Sequence, residues 1–243
     1  TFDVRVATNV IGSVTFTNTY KPFYTGTEIK PSKADLGKIV IHNVASGNNP
    51  DETLKDDEWE ITGYSNNINA SKYDANGKAT TFGYVEIKVK GDSSYANQTY
   101  KVPFEIQPLL VTGDTITVPK TISYNKGYSS TDASDYKVPV VVVAKDATGK
   151  IVKTLTADDY TVKYEYVNAN KKNGATNEIG DKIQATVTIK NDNYKGFTTV
   201  KDNNGQNKTV QNVKVPATNS TEITAKALAD NMIKVEPSSY TYT

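Results

Sequence analysis

Leu54-Lys55-Asp56-Asp57-Glu58-Trp59-Glu60-Ile61 returns further along the chain as Leu155-Thr156-Ala157-Asp158-Asp159-Tyr160-Thr161-Val162. A second phrase, Ile87-Lys-Val89-Lys-Gly-Asp-Ser-Ser-Tyr95, returns with one residue fewer as Val187-Thr-Ile189-Lys-Asn-Asp-Asn-Tyr194. Lys101-Val102-Pro103 returns as Lys214-Val215-Pro216. A period of roughly 100 residues is too long for a solenoid unit and fits a small autonomous domain. The repeated phrases therefore predict two successive domains of one kind, with a third copy beginning near the end.

The strands can be read directly. Val85, Ile87 and Val89 alternate with Glu86, Lys88 and Lys90, as on a strand with one wet face. Val187 and Ile189 alternate likewise with Thr186, Thr188 and Lys190. Phe2–Val6 and Val14–Tyr20 predict two more strands, joined by a turn at Asn9–Gly12. Val138–Val143 lacks alternation and predicts a strand covered on both sides. Lys145–Lys150 is a turn leading into a strand over Ile151–Leu155, and Lys201–Lys208 is a hairpin insertion. Only Lys226–Met232 has helical composition, and its place between units suggests a short turn or linker. The expected fold is all-β: tandem immunoglobulin-like β-sandwich domains. Residues 1–20 would be a closing or opening hairpin, the closing case being the end of an upstream domain. Residues 21–109 would form the first repeat, 110–225 the second, and 226–243 a linker with the first strand of a third.

Composition narrows the function. The chain of 243 residues carries 28 basic and 27 acidic residues, and Arg5 is its only arginine. Neither net charge nor arginine steers it to nucleic acid or to an anionic membrane. There is no cysteine, which excludes disulfides and thiolate metal sites. No apolar run approaches the roughly 20 residues that span a bilayer. No cofactor is expected.

Phe23-Tyr-Thr-Gly26-Thr-Glu-Ile-Lys-Pro31, Tyr64-Ser-Asn-Asn-Ile-Asn-Ala70 and Phe104-Glu-Ile106-Gln-Pro108 resemble signatures of the MBG-type immunoglobulin-like repeats of Gram-positive surface proteins. The second unit departs from that pattern, with Tyr164-Glu-Tyr166-Val-Asn168 in place of a second YSNN. The resemblance implies an extracellular array on a bacterial cell surface. It would be non-enzymatic, a stalk or fibre segment of an adhesin or pilus-like protein that presents a distal tip. Its partners would be neighbouring repeats or subunits. Val14-Thr-Phe-Thr-Asn18-Thr-Tyr20 resembles the closing strand of pilin domains locked by an internal isopeptide bond. That likeness makes Asn18 a candidate for the bond, its lysine and acid lying upstream of this chain; the alternative is an ordinary strand asparagine.

Other constellations have competing explanations. Asp56, Asp57, Asp158 and Asp159 are the acidic pairs from which calcium takes oxygen ligands. The simpler account is a turn whose carboxylates bond backbone amides. Trp59 and Tyr160, at equivalent strand starts, suit a sandwich core. Stacking of a polysaccharide or host glycan on Trp59 or Tyr128 is the alternative function, a carbohydrate-binding module using exposed aromatics. His42, the only histidine, lies near no nucleophile motif such as G-x-S-x-G, and an ordinary strand histidine is expected.

Overall fold

A computed structural model of the chain describes residues 11–43, 51–90, 97–167, 176–202, 204–211 and 213–227. The strand expected at Phe2–Val6, the first half of the turn expected at Asn9–Gly12, and nearly all of the expected third copy lie outside these residues. Ile11 and Gly12 belong to strand β1 (Ile11–Phe16) and not to a turn, and that strand stops at Phe16, short of the expected Tyr20. The protein is almost wholly β, built from several small sheets in a sandwich-type fold. It divides into two compact units. One takes in Thr1–Leu110 with Asp146–Val152 and Asn191–Lys195; the other takes in Val111–Lys145, Lys153–Lys190 and Gly196–Thr243.

In the first unit β1 is followed by a single helical turn, α1 (Lys33–Leu36), then β2 (Ile39–Asn43) and β3 (Glu52–Leu54). These three strands form one antiparallel sheet in the order β1-β2-β3. A second sheet, β4-β5-β6, uses Trp59–Ser65, Gly83–Val89 and Thr99–Phe104. Ile39, Ile41, Leu54, Trp59, Ile87 and Ile106 have no exposed surface and make the core. The alternation in β5 is as the sequence predicts: Val85, Ile87 and Val89 are buried, while Glu86 and Lys88 are half-buried. Helix α1 exists because Ser32 and Asp35 form a reciprocal cap. The Asp35 carboxylate accepts from the Ser32 amide at 2.8 Å, and the Ser32 hydroxyl accepts from the Asp35 amide. The Ser32 hydroxyl, donating to the Asp35 carboxylate at 2.7 Å, and then the Ser32 amide hold the Asp35 carboxyl below its ordinary range. The chain leaves the helix through Gly37 at φ +72°, where any Cβ would run into the side chains of Thr17 and Asn18.

The remaining strands form two larger sheets. Strands β7 (Leu109–Val111), β8 (Ile116–Thr117) and β9 (Thr121–Ser123) are followed by a 3-10 turn at Ala133–Tyr136 and by β10 (Val141–Lys145). The remaining strands are β11 (Ile151–Thr154), β12 (Tyr160–Val167), β13 (Lys182–Ile189), β14 (Tyr194–Lys201), β15 (Asn207–Gln211), β16 (Lys214–Pro216) and β17 (Thr221–Thr224). One sheet runs β11-β10-β7-β14-β15, with β8 also on β10. The other runs β12-β13-β17-β9, with β16 also on β13. Val138–Val143 differs from expectation. Lys137 adopts a left-handed backbone after the 3-10 turn, and Pro139 follows, so the strand starts only at Val141. From there it alternates, with Val141 51% exposed and Val142 fully buried. Proline removes a ladder donor, which explains the late start.

Candidate functional site

The repeated phrase folds twice into the same turn. In the first unit the Glu58 carboxylate accepts from the Lys55 amide at 2.7 Å, and the Glu58 amide donates to the Lys55 carbonyl at 3.1 Å. In the second, the Asp159 carboxylate accepts from the Thr156 amide at 2.9 Å, and the Asp159 amide donates to the Thr156 carbonyl at 3.0 Å. Each turn then receives an amide from the far strand, Lys90 onto Glu58 and Lys190 onto Asp159. Among the acidic pairs offered for calcium, Asp56, Asp57 and Asp158 are exposed and Asp159 is buried in the turn. Among the described residues no group of three or more His, Cys, Asp or Glu side chains is placed to hold a metal ion.

Trp59 has no exposed surface. A ring with both faces covered offers nothing to a pyranose, so the core role is the one its position permits. Its Nε1–H is buried without a hydrogen-bond partner. The Lys33 ammonium sits over the indole, 4.1 Å from its centroid, and donates to the Trp59 and Asp56 carbonyls. Burial, and then the nearby Lys90, push the Lys33 pKa down.

Tyr128 is half-buried and packs edge-on to Tyr136 at 4.8 Å between centroids; Tyr136 in turn packs edge-on to Tyr166 at 6.5 Å. Buried Asn177 ties this cluster together. It accepts from the Tyr136 hydroxyl at 2.6 Å and donates to the Asn125 and Tyr128 carbonyls. The Tyr166 hydroxyl donates to the Ser129 carbonyl, and burial first, then Tyr136, raise its pKa to about 12. Asn18 is exposed beside α1, its amide nitrogen 3.4–3.5 Å from the Ala34 and Asp35 carbonyls.

One arrangement was not legible from motifs. Strands β1 and β2 pair with Thr15 opposite Val40 and Ser13 opposite His42, which makes Thr15 and His42 diagonal neighbours. The Thr15 Oγ1 lies 2.8 Å from His42 Nε2, and His42 Nδ1 lies 2.7 Å from the Asp51 carboxylate. An ionised carboxylate only accepts, so Nδ1 carries the proton toward Asp51. In the neutral ring Nε2 is then the acceptor and the Thr15 hydroxyl donates. The side chains of His42 and Asp51 are 36% and 55% exposed. Thr15 is also among the residues lining an open cavity of about 210 Å³ with mixed walls, Phe16, Leu36 and Phe104 beside Asn18, Lys21 and Glu105. Sequence reading expected an ordinary strand histidine, and His42 does stand half-exposed on β2. Strand register brings Thr15 to one nitrogen of its ring, and Asp51 meets the other.

A second concavity of the first unit, about 580 Å³, is lined by Asn66, Asn69, Lys72, Thr80, Phe82 and Tyr84 among others. Its floor is fixed by buried Asn67, which donates to the Ile29 carbonyl, and by Ser71, which accepts from the Ile106 amide.

No protein-family model, no curated protein and no solved structure matches the chain. No helix among the described residues is long and apolar enough to cross a membrane.

Proposed function

We propose that the chain is a non-catalytic spacer, a tandem array of sandwich repeats in an extracellular stalk or fibre of a bacterial surface protein. What recurs between the units is scaffold chemistry, and that observation carries the proposal. Leu54 and Leu155 are buried before the same carboxylate-closed turn. Tyr64 and Tyr164 each donate a hydroxyl to a backbone carbonyl, of Pro31 and of Val138, at 2.8 Å. The Thr15–His42–Asp51 relay and the Asn66 concavity belong to the first unit alone. Selection on a load-bearing repeat acts on the scaffold and leaves individual sites free to differ.

Single-molecule pulling tests this. Two unfolding events are expected, each lengthening the chain by roughly 3.3–3.6 Å per residue of its unit. A single event, or extension without a force peak, would sink the spacer reading. Protease shaving of intact producing cells tests the surface location: release of peptides from both units is expected, and protection of both refutes it.

Saccharide binding is the second reading, and the Asn66 concavity favours it over Trp59. Amides and hydroxyls beside Phe82 and Tyr84 match a neutral sugar with one polar and one apolar face. Asn66 stands at φ +52°, a conformation glycine adopts without strain. Asn66→Gly should therefore abolish retardation on polysaccharide affinity gels without unfolding the unit. Absence of retardation of the unaltered protein by every neutral polysaccharide rejects this reading.

A further inference from the structure

Thr15, His42 and Asp51 form a hydroxyl–imidazole–carboxylate chain with both hydrogen bonds made and the nucleophile exposed at its end. The pattern satisfies the geometric demands on an activated hydroxyl: a base within reach of the nucleophile, and a third group that orients the base. The base is in the correct tautomer because the Asp51 carboxylate fixes it. The Thr15 side chain is exposed, so an acyl donor reaches the hydroxyl from solvent.

We propose that Thr15 is an acyl-acceptor site, taking a short acyl group from an activated ester or thioester. In the step, Thr15 Oγ1 attacks the acyl carbon while its proton passes to His42 Nε2. Asp51 holds the Nδ1–H and balances the imidazolium. The carbon–leaving-group bond then breaks, and His42 returns the proton to the departing oxygen or sulfur. The sum is acyl donor plus Thr15 hydroxyl giving a Thr15 ester plus the protonated leaving group, with no oxidant or reductant needed. The open setting of His42 and Asp51 suits a single modification of the chain, in contrast to the enclosed relays that turn over substrate. This inference stands apart from the spacer reading and fails or survives separately.

The test uses the full chain with p-nitrophenyl acetate and p-nitrophenyl butyrate, followed by peptide mapping by mass spectrometry. Acetyl or butyryl is expected on Thr15 at a rate well above that of other threonines. His42→Gln should slow labelling of Thr15 by about 100-fold, the usual scale of a general base. Asp51→Asn should slow it less, and Thr15→Ser should quicken it by removing the methyl that crowds the oxygen. Thr15→Val keeps the shape of the residue and should melt like the unaltered protein while losing the label. Acylation confined to lysines, or Thr15 labelling at the same rate in His42→Gln, would overturn the proposal. Melting curves of each variant separate loss of chemistry from loss of fold.

Discussion

The turn at Leu54–Trp59 and the turn at Leu155–Tyr160 close on the same bonds but are capped by different lysines. In the first unit the ammonium on the Asp56 carbonyl comes from Lys33, on α1. In the second, the equivalent carbonyl, that of Ala157, receives Lys190 from the end of β13, at 3.1 Å. Lys90, the counterpart of Lys190, is left to pair with Glu60 at 3.9 Å. The carbonyl demands a donor, and either strand or helix can supply it. The closing strands teach a related lesson. Val102 pairs with Val85, whereas Val215 pairs with Val187, the counterpart of Ile87. The same Lys-Val-Pro tripeptide has thus slid by two residues along its partner strand. Both valines remain buried. A slide of two preserves the facing of every side chain, and a slide of one reverses it.

The comparison can be broken most forcefully at the aromatic that follows each turn. Trp59→Ala should cost about 3–5 kcal/mol, as for large buried aromatics. Tyr160→Ala should cost less, because Tyr160 is only half-buried and its hydroxyl reaches the Val140 carbonyl at 3.3 Å. Hydrogen exchange resolved by unit would measure both, and equal losses would refute the asymmetry. Next come the turn carboxylates. Asp159→Ala strips acceptors from the amide and hydroxyl of Thr156 and should cost about 1–3 kcal/mol. Glu58→Ala, at a more exposed site, should cost about half as much on the same scale.

The tyrosine pair sharpens the comparison at high pH. Burial raises the pKa of both Tyr64 and Tyr164 above the ordinary phenol value. The unfolded chain therefore ionises first, near pH 10, so the contribution is complete below that pH and is lost as pH climbs toward the folded value. Urea midpoints should fall between pH 9 and 11 in both units, and Tyr64→Phe and Tyr164→Phe should each flatten that fall. Flattening by one substitution and not the other would show that the two hydroxyls are not equivalent, and unchanged slopes in both would refute the linkage. Smallest of all, Lys33→Ala and Lys190→Ala should each cost about 1 kcal/mol or less. Only Lys33→Ala should alter the emission of Trp59, the single tryptophan, because only Lys33 overlies its ring.

Much of the scaffold was legible. Period-two alternation located β5 and β13, and the repeated phrase marked both turns, although the first is closed by Glu58 and not by Asp56 or Asp57. Local signals failed where a few backbone bonds decide the outcome. The Ser32–Asp35 cap creates α1 out of four residues, too few for periodicity to register. Val138–Val143 misled because a left-handed Lys137 and Pro139 override an apolar run. The Thr15–His42–Asp51 relay was hidden for another reason: His42 is 27 residues from Thr15, and only the pairing of β1 with β2 brings them together. Trp59 was read correctly as core material by its counterpart's position, and its complete burial leaves no ring face for a sugar.

Three hairpin turns share one form. Asp74, Asp146 and Asp202 each accept two amides on one carboxylate oxygen, from the residues two and four further on. Gly77, Gly149 and Gly205 follow at positive φ and donate their amides to the carbonyls of those aspartates. Two of the turns contain Asn-Gly, at Asn76-Gly77 and Asn204-Gly205, the dipeptide whose spontaneous deamidation sets the ageing of many proteins. That reaction begins when the glycine nitrogen attacks the asparagine side chain. Here the glycine N–H is held at 3.0 Å on the Asp74 or Asp202 carbonyl, which opposes the deprotonation that the attack requires. The geometry that reverses the chain thereby also slows its chemical clock.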